Sequence, residues 1–135
     1  MLFRSLSDLN AAIKLEPADA EAQQGRAWIL ATCSNPKIRN GEQAVIAATR
    51  ACELTDWKVP HAMTTLAAAY SETGNFAAAV EWQGKALGLV ADKSLEQHEY
   101  RRLLDRYKAG KPYHRLGVLE EIGIQKAGYS SKKGG

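Results

Sequence analysis

The sequence predicts an all-α protein of about six helices, and three observations carry that prediction. Apolar residues recur three and four positions apart along most of the chain, the spacing that gathers them on one helical face. Helix-starting residues (Asp19, Asn40, Asn75, Ser94) alternate with helix-stopping ones (Pro17, Gly74, Gly110) at short intervals. The stretch LAAAYSETGNFAAAV, residues 66–80, sets alanine triplets on both sides of one glycine, as two helices that approach closely across a tight turn require.

The first helix shows Leu6, Leu9 and Ile13 on one face and stops ahead of Pro17. Proline cannot continue a helix, because it lacks the N–H and its ring collides with the preceding turn. Asp19 caps a second helix over about Ala20–Cys33, its carboxylate accepting from amides that have no partner inside the helix. SNPKIRNG, residues 34–41, is a loop by its Pro36, Gly41 and turn-forming polar residues. Asn40 caps a third helix over about Gly41–Leu54, with Gln43 placed to reach back in a capping box. Its buried side should be Ala44, Val45, Ala48, Ala51 and Cys52. Pro60 suits the first turn of a fourth helix, where no N–H is needed, and this helix ends near Thr73. Gly74 supplies the left-handed stop. Asn75 caps a fifth helix to about Leu89, with Phe76, Ala79, Val80, Ala86 and Leu87 inward. Ser94 and Gln97, a second capping-box candidate, open a sixth that carries Tyr100, Leu103, Leu104 and Tyr107 and closes at Gly110 before Pro112. Further on, VLEEIGI (118–124) reads as a short helix or strand and SSKKGG as a disordered end.

Aligned on small and apolar residues, the chain holds one half and two whole copies of a unit. The half copy is Leu6, Leu9, Ala12, Ile13, Leu15 and Pro17. The second copy carries Ala27, Leu30, Ala44, Val45, Ala51, Cys52 and Leu54. The third runs from Leu66, Ala67 and Tyr70 through Gly74 and Phe76 to Ala79 and Ala86. This pattern resembles the tetratricopeptide repeat (TPR), a helix–turn–helix unit of ~34 residues with the signature L-G-x-x-Y…A-x-x-x-F…P. The resemblance covers about residues 5–110. It implies a right-handed superhelix of antiparallel helix pairs, with Ala67, Ala79 and Ala86 letting backbones approach while Tyr70 and Phe76 fill the space beside them. It divides the chain into a half repeat at 1–17, repeats at 20–58 and 60–91, a capping helix at 94–109 and a basic tail at 111–135. The sequence departs from the family in about five extra residues at SNPKIRNG, in Gln83 where an aromatic is common, and in Ala91 where proline is common. The LATC…RNG…AV arrangement and the ending YKAGKPYHR also look like TPR modules that close large bacterial multidomain proteins.

Composition narrows the function classes. With 45% hydrophobic and 24% charged residues, the 135-residue chain is ordinary for a globular domain, and no apolar run approaches the ~18 residues of a membrane span. MLFRSLSDLN does not read as a signal peptide, so cytoplasm is the default compartment unless the chain belongs to a longer exported protein. Residues 1–100 carry nine Lys/Arg against twelve Asp/Glu, and residues 101–135 carry nine against three. The basic end reads as a solvated tail, with binding to nucleic acid or an anionic membrane surface as the lower-ranked alternative. Cys33 and Cys52 show no metal spacing and read as small buried hydrophobes, a disulfide between neighbouring helices being the alternative. His61, His98 and His114 are far apart and lack any metal-ligand spacing. Glu120 and Glu121 make no acid/base pair, and Gly84 and Gly88 fall inside a helix, where they cost stability or permit close packing, rather than in a phosphate loop. Neither catalysis nor a cofactor or metal is expected.

What remains is binding. In TPR proteins the first helix of each unit lines a concave face that holds a peptide or partner helix. Carried over by register, the lining residues are Glu21, Gln24, Trp28 and Thr32 from the second copy and His61, Thr64, Ala68, Ser71 and Glu72 from the third. Trp28 is the expected apolar anchor, with packing against the preceding helix as its other reading. These positions are mostly neutral or acidic, so no clamp for a C-terminal carboxylate is expected. The alternative is a structural one. The array opens with a lone second helix whose Leu6, Leu9 and Ile13 have an uncovered side, as in the end cap of a longer solenoid or a segment that pairs with another copy.

Overall fold

The computed structural model describes residues 5–115. The expectations for VLEEIGI and SSKKGG lie outside them. Among the described residues the protein is all-helical: α1 (Leu6–Leu15), α2 (Ala20–Thr32), α3 (Gly41–Leu54), α4 (Pro60–Glu72), α5 (Phe76–Gly88) and α6 (Leu95–Lys108).

The starts follow from capping chemistry. Side-chain oxygens of Ser5, Asp19, Asn40, Asn75 and Ser94 accept from the amides of Asp8, Ala22, Gln43, Ala78 and Gln97 at 2.9–3.1 Å. α4 has no such cap and begins with Pro60 in its first turn. Neither capping box closes as expected. Gln97 Oε1 accepts from Lys93 N–H at 2.8 Å, one residue short of the cap. The Asn40 N–H is already donated to Leu30 O at 2.8 Å, leaving Gln43 nothing to accept and tying the start of α3 to the end of α2.

Each helix packs on the next in chain order, and α2 also packs on α4. Gln24 Nε2 on α2 donates to Thr65 Oγ1 on α4 at 2.8 Å. The start of α3 touches the end of α4, where a Cβ on Gly41 would sit 3.1 Å from Thr73 N. So α3 and α4 run oppositely, while α2 and α4 lie side by side. This arrangement is consistent with a helical repeat.

Thirteen of the twenty buried hydrophobic residues described are alanine, so the helices meet at short range with few large side chains between them. One cluster joins Ala27, Ala48, Cys52, Leu66 and Tyr100, a second joins Leu30, Ala31, Ala44 and Ala68, and a third places Ala67 and Ala79 against Tyr107. On α3, Ala47 is buried and Val45 only half-buried. On α5, the fully buried polar residue is Gln83, whose Nε2 donates to Tyr100 O at 3.2 Å. Gly74 turns the chain between α4 and α5 with φ of 86°, as its place in the sequence required. A Cβ placed on Gly84 would meet nothing within 4 Å, and the same holds for Gly88, so close packing is not their role. The open side expected on α1 is smaller than the sequence suggested. Leu9 is buried, Leu6 joins the second cluster, and the strongly exposed apolar residue is Leu15, at 88%.

Candidate functional site

α2, α4 and α6 together line a cavity of about 790 Å³. Trp28, Leu103 and Tyr113 give it apolar walls, and Glu96, Glu99, Arg102 and Arg106 from α6 stand at its polar side. The Trp28 ring sits 6.3 Å from His61 and 5.8 Å from Tyr113. Thr64 and Tyr100 also line it, 2% and 5% exposed, with the Thr64 side chain close enough to the Tyr100 hydroxyl to offset part of the rise that burial gives its pKa. Desolvation lowers the His61 pKa below the ordinary imidazole value, and the Glu96 carboxylate opposes that shift.

Beyond α6 the chain does not leave as a loose tail. Gly110, at φ 72°, reverses it, and residues 111–115 run back across the ends of the helices. Arg106 Nε donates to Pro112 O at 2.6 Å. Tyr113 meets Trp28, His114 Nε2 lies 2.7 Å from Glu72 Oε1, and Arg115 N–H donates to Thr32 O at 2.7 Å. This last bond satisfies a carbonyl in the last turn of α2, where no intrahelical donor remains. Glu72 is held from its other side by Arg39 Nε at 3.0 Å. Arg39 is itself fixed by its Nη1, which donates to Cys33 O at 2.7 Å.

The residues expected from register therefore divide. Trp28, His61 and Thr64 come together at the cavity. Glu72 and the Thr32 carbonyl are engaged by residues 114 and 115. Gln24 is bonded to Thr65, and Glu21 is exposed on the first turn of α2, away from the cavity lining. Ala68 and Ser71 are buried, with Ser71 Oγ donating to Ala68 O at 2.7 Å, and the Thr32 side chain is buried with its hydroxyl donated to Trp28 O. Those three side chains offer a partner no accessible atom in this conformation. Sequence reasoning missed Arg39, Tyr113, His114 and the cavity side of α6. The available signal for the segment was YKAGKPYHR, in which a glycine-led reversal precedes an aromatic and two basic residues.

Cys52 is buried and its thiol is pushed up to about 11, chiefly by burial, so it stays protonated at neutral pH. Cys33 and Cys52 are both free. Among the described residues no three His, Cys, Asp or Glu side chains gather as a metal site, and no helix is long and apolar enough to cross a membrane. No known family pattern matches the chain and no curated protein matches it, so a functional reading stands on the geometry of the α2–α4–α6 face.

Proposed function

We propose that the protein is a non-catalytic interaction module of the TPR type that binds a peptide or partner helix on the face formed by α2, α4 and α6. The observation that carries this reading is the cavity beside Trp28, walled by Trp28, Leu103 and Tyr113 and edged by the polar and charged groups of α4 and α6. Apolar walls with a few convergent polar groups suit an inserted side chain, and a tryptophan in such a place is the usual kind of anchor. The mixed charges of α6 favour a partner with polar groups around one apolar contact.

Selection of binders from a displayed library of random peptides against the full chain tests the reading. Peptides that bind here should lose at least about tenfold in affinity on Trp28→Ala, the loss expected of an anchor residue. They should be unaffected by Trp57→Ala, away from the cavity lining, where Trp57 stacks on Trp82 at 5.0 Å. Binders indifferent to Trp28→Ala, or no binders at all, would refute it. The alternative, self-association through α1, has less support, because Leu9 is already buried and Leu15 alone is strongly exposed there. A concentration-dependent dimer in light scattering that Leu15→Glu abolishes would favour it instead.

A further inference from the structure

Residues 111–115 make contacts of the kind an outside peptide would make. Pro112 offers a carbonyl to Arg106, Tyr113 lays a ring on Trp28, His114 reaches the Glu72 carboxylate, and the Arg115 N–H meets the Thr32 carbonyl. Each contact reads one feature of an extended chain: an acceptor, an aromatic ring, a side-chain donor and a backbone donor. The receiving groups also have supports outside the segment: Arg39 is bonded to Glu72, His61 stands beside Trp28, and Thr32 closes α2. We propose that this segment is a built-in ligand of the groove, and that the partner is a protein segment carrying an aromatic residue followed by basic ones, which displaces it. The proposal rests on the interaction reading above and names the partner's chemistry.

The energetics suit a replaceable occupant. The His114–Glu72 contact is partly open to solvent, with side-chain exposures of 35% and 18%, so screening on the His114 side discounts what it contributes. The segment holds its place because it is tethered just beyond α6, which gives it an effective concentration of about millimolar. A partner with the same features meets the same four groups and competes only against that tether. Tyr113 is itself part of the cavity wall beside Trp28, so its departure would uncover that side of the ring.

The test uses the full ¹⁵N-labelled chain and, as probe, the acetylated and amidated peptide Gly-Lys-Pro-Tyr-His-Arg, followed through the Trp28 indole N–H. The double variant Tyr113→Ala/His114→Ala should bind the peptide at least about tenfold more tightly than the parent, since the competing state is removed. Adding Glu72→Gln to the double variant should weaken binding several-fold, to about a fifth or less. If the double variant fails to fold by circular dichroism, Arg115→Pro, which removes the N–H donated to Thr32, takes its place. Equal affinity for parent and opened chain would overturn the displacement, and no binding to the opened chain at millimolar peptide would overturn the segment as a ligand. Neither result touches the interaction reading, which fails only if displayed peptides ignore Trp28 or none bind.

Discussion

Gly41→Ala probes the closest approach between α3 and α4. A Cβ added at residue 41 would lie 2.9 Å from Thr73 Cγ2, 3.1 Å from Thr73 N and 3.2 Å from the Glu72 carbonyl carbon. Ordinary contacts of this kind fall at 3.4–4 Å. The Thr73 methyl could rotate only by giving up the hydroxyl bond to Tyr70 O at 2.7 Å, and the two backbone atoms cannot rotate away at all. The start of α3 must therefore move off the end of α4 by a few tenths of an ångström. Overpacking of this kind costs about 1–3 kcal/mol. The helix-propensity gain from losing a glycine is at most about 1 kcal/mol and smaller at a first helical position. The net expectation is destabilisation by about 1–2 kcal/mol, or a melting temperature lower by roughly 4–10 °C in a domain of this size. The assay is thermal unfolding by circular dichroism beside Gly84→Ala, a glycine inside α5 with open space around it. A Gly41→Ala protein as stable as the parent would refute the close approach.

Three further outcomes follow from the packing. Gly84→Ala should raise stability by about 0.5–1 kcal/mol in the same melts, because an exposed helical glycine carries only its backbone-entropy cost. Gln83→Leu should come within about 1 kcal/mol of the parent or exceed it in urea titrations, since it removes a buried Oε1 with no partner among the described residues, whereas Gln83→Ala should lose about 2 kcal/mol or more to a cavity. Stability should also fall at alkaline pH. The Cys52 pKa is raised from 9.0 to about 11, and those of Tyr100 and Tyr107 are raised too, all chiefly by burial, so the unfolded chain releases protons first. The Cys52 contribution is whole below pH 9 and is lost between pH 9 and 11. Cys52→Ala should flatten that decline in urea midpoints, and parallel declines would contradict it.

The helices were legible because their signals are local. Asp19, Asn40, Asn75 and Ser94 bond to amides three residues on, and Gly74 turns within its own tripeptide. Periodicity also reported the buried faces well where the face was apolar, as at Ala44, Ala48 and Cys52. It failed at Gln83, because hydrophobic spacing cannot register an amide buried by the approach of α6. Register carried over from the resemblance places Ala68 and Ser71 on an open lining, but both are buried, because register does not show how deep a helix sits among its neighbours.

The occupant of the groove was hidden for a different reason. Arg39 and His114 reach Glu72 across 33 and 42 residues of chain, and Arg115 finds the Thr32 carbonyl from beyond another helix altogether. A basic stretch with glycine and proline reads as a solvated tail until its counter-charge is located in space. Yet both groups that meet at Glu72 come from segments between or beyond the described helices. Arg39 belongs to the long SNPKIRNG turn, and His114 follows α6. An extra loop residue that only lengthened a turn would have no reason to place a guanidinium 3.0 Å from a half-buried carboxylate. The irregular segments thus carry what distinguishes this groove: one fixes the carboxylate, and the other presents a donor to it. The packed helices α2, α4 and α6 supply the surface on which they meet.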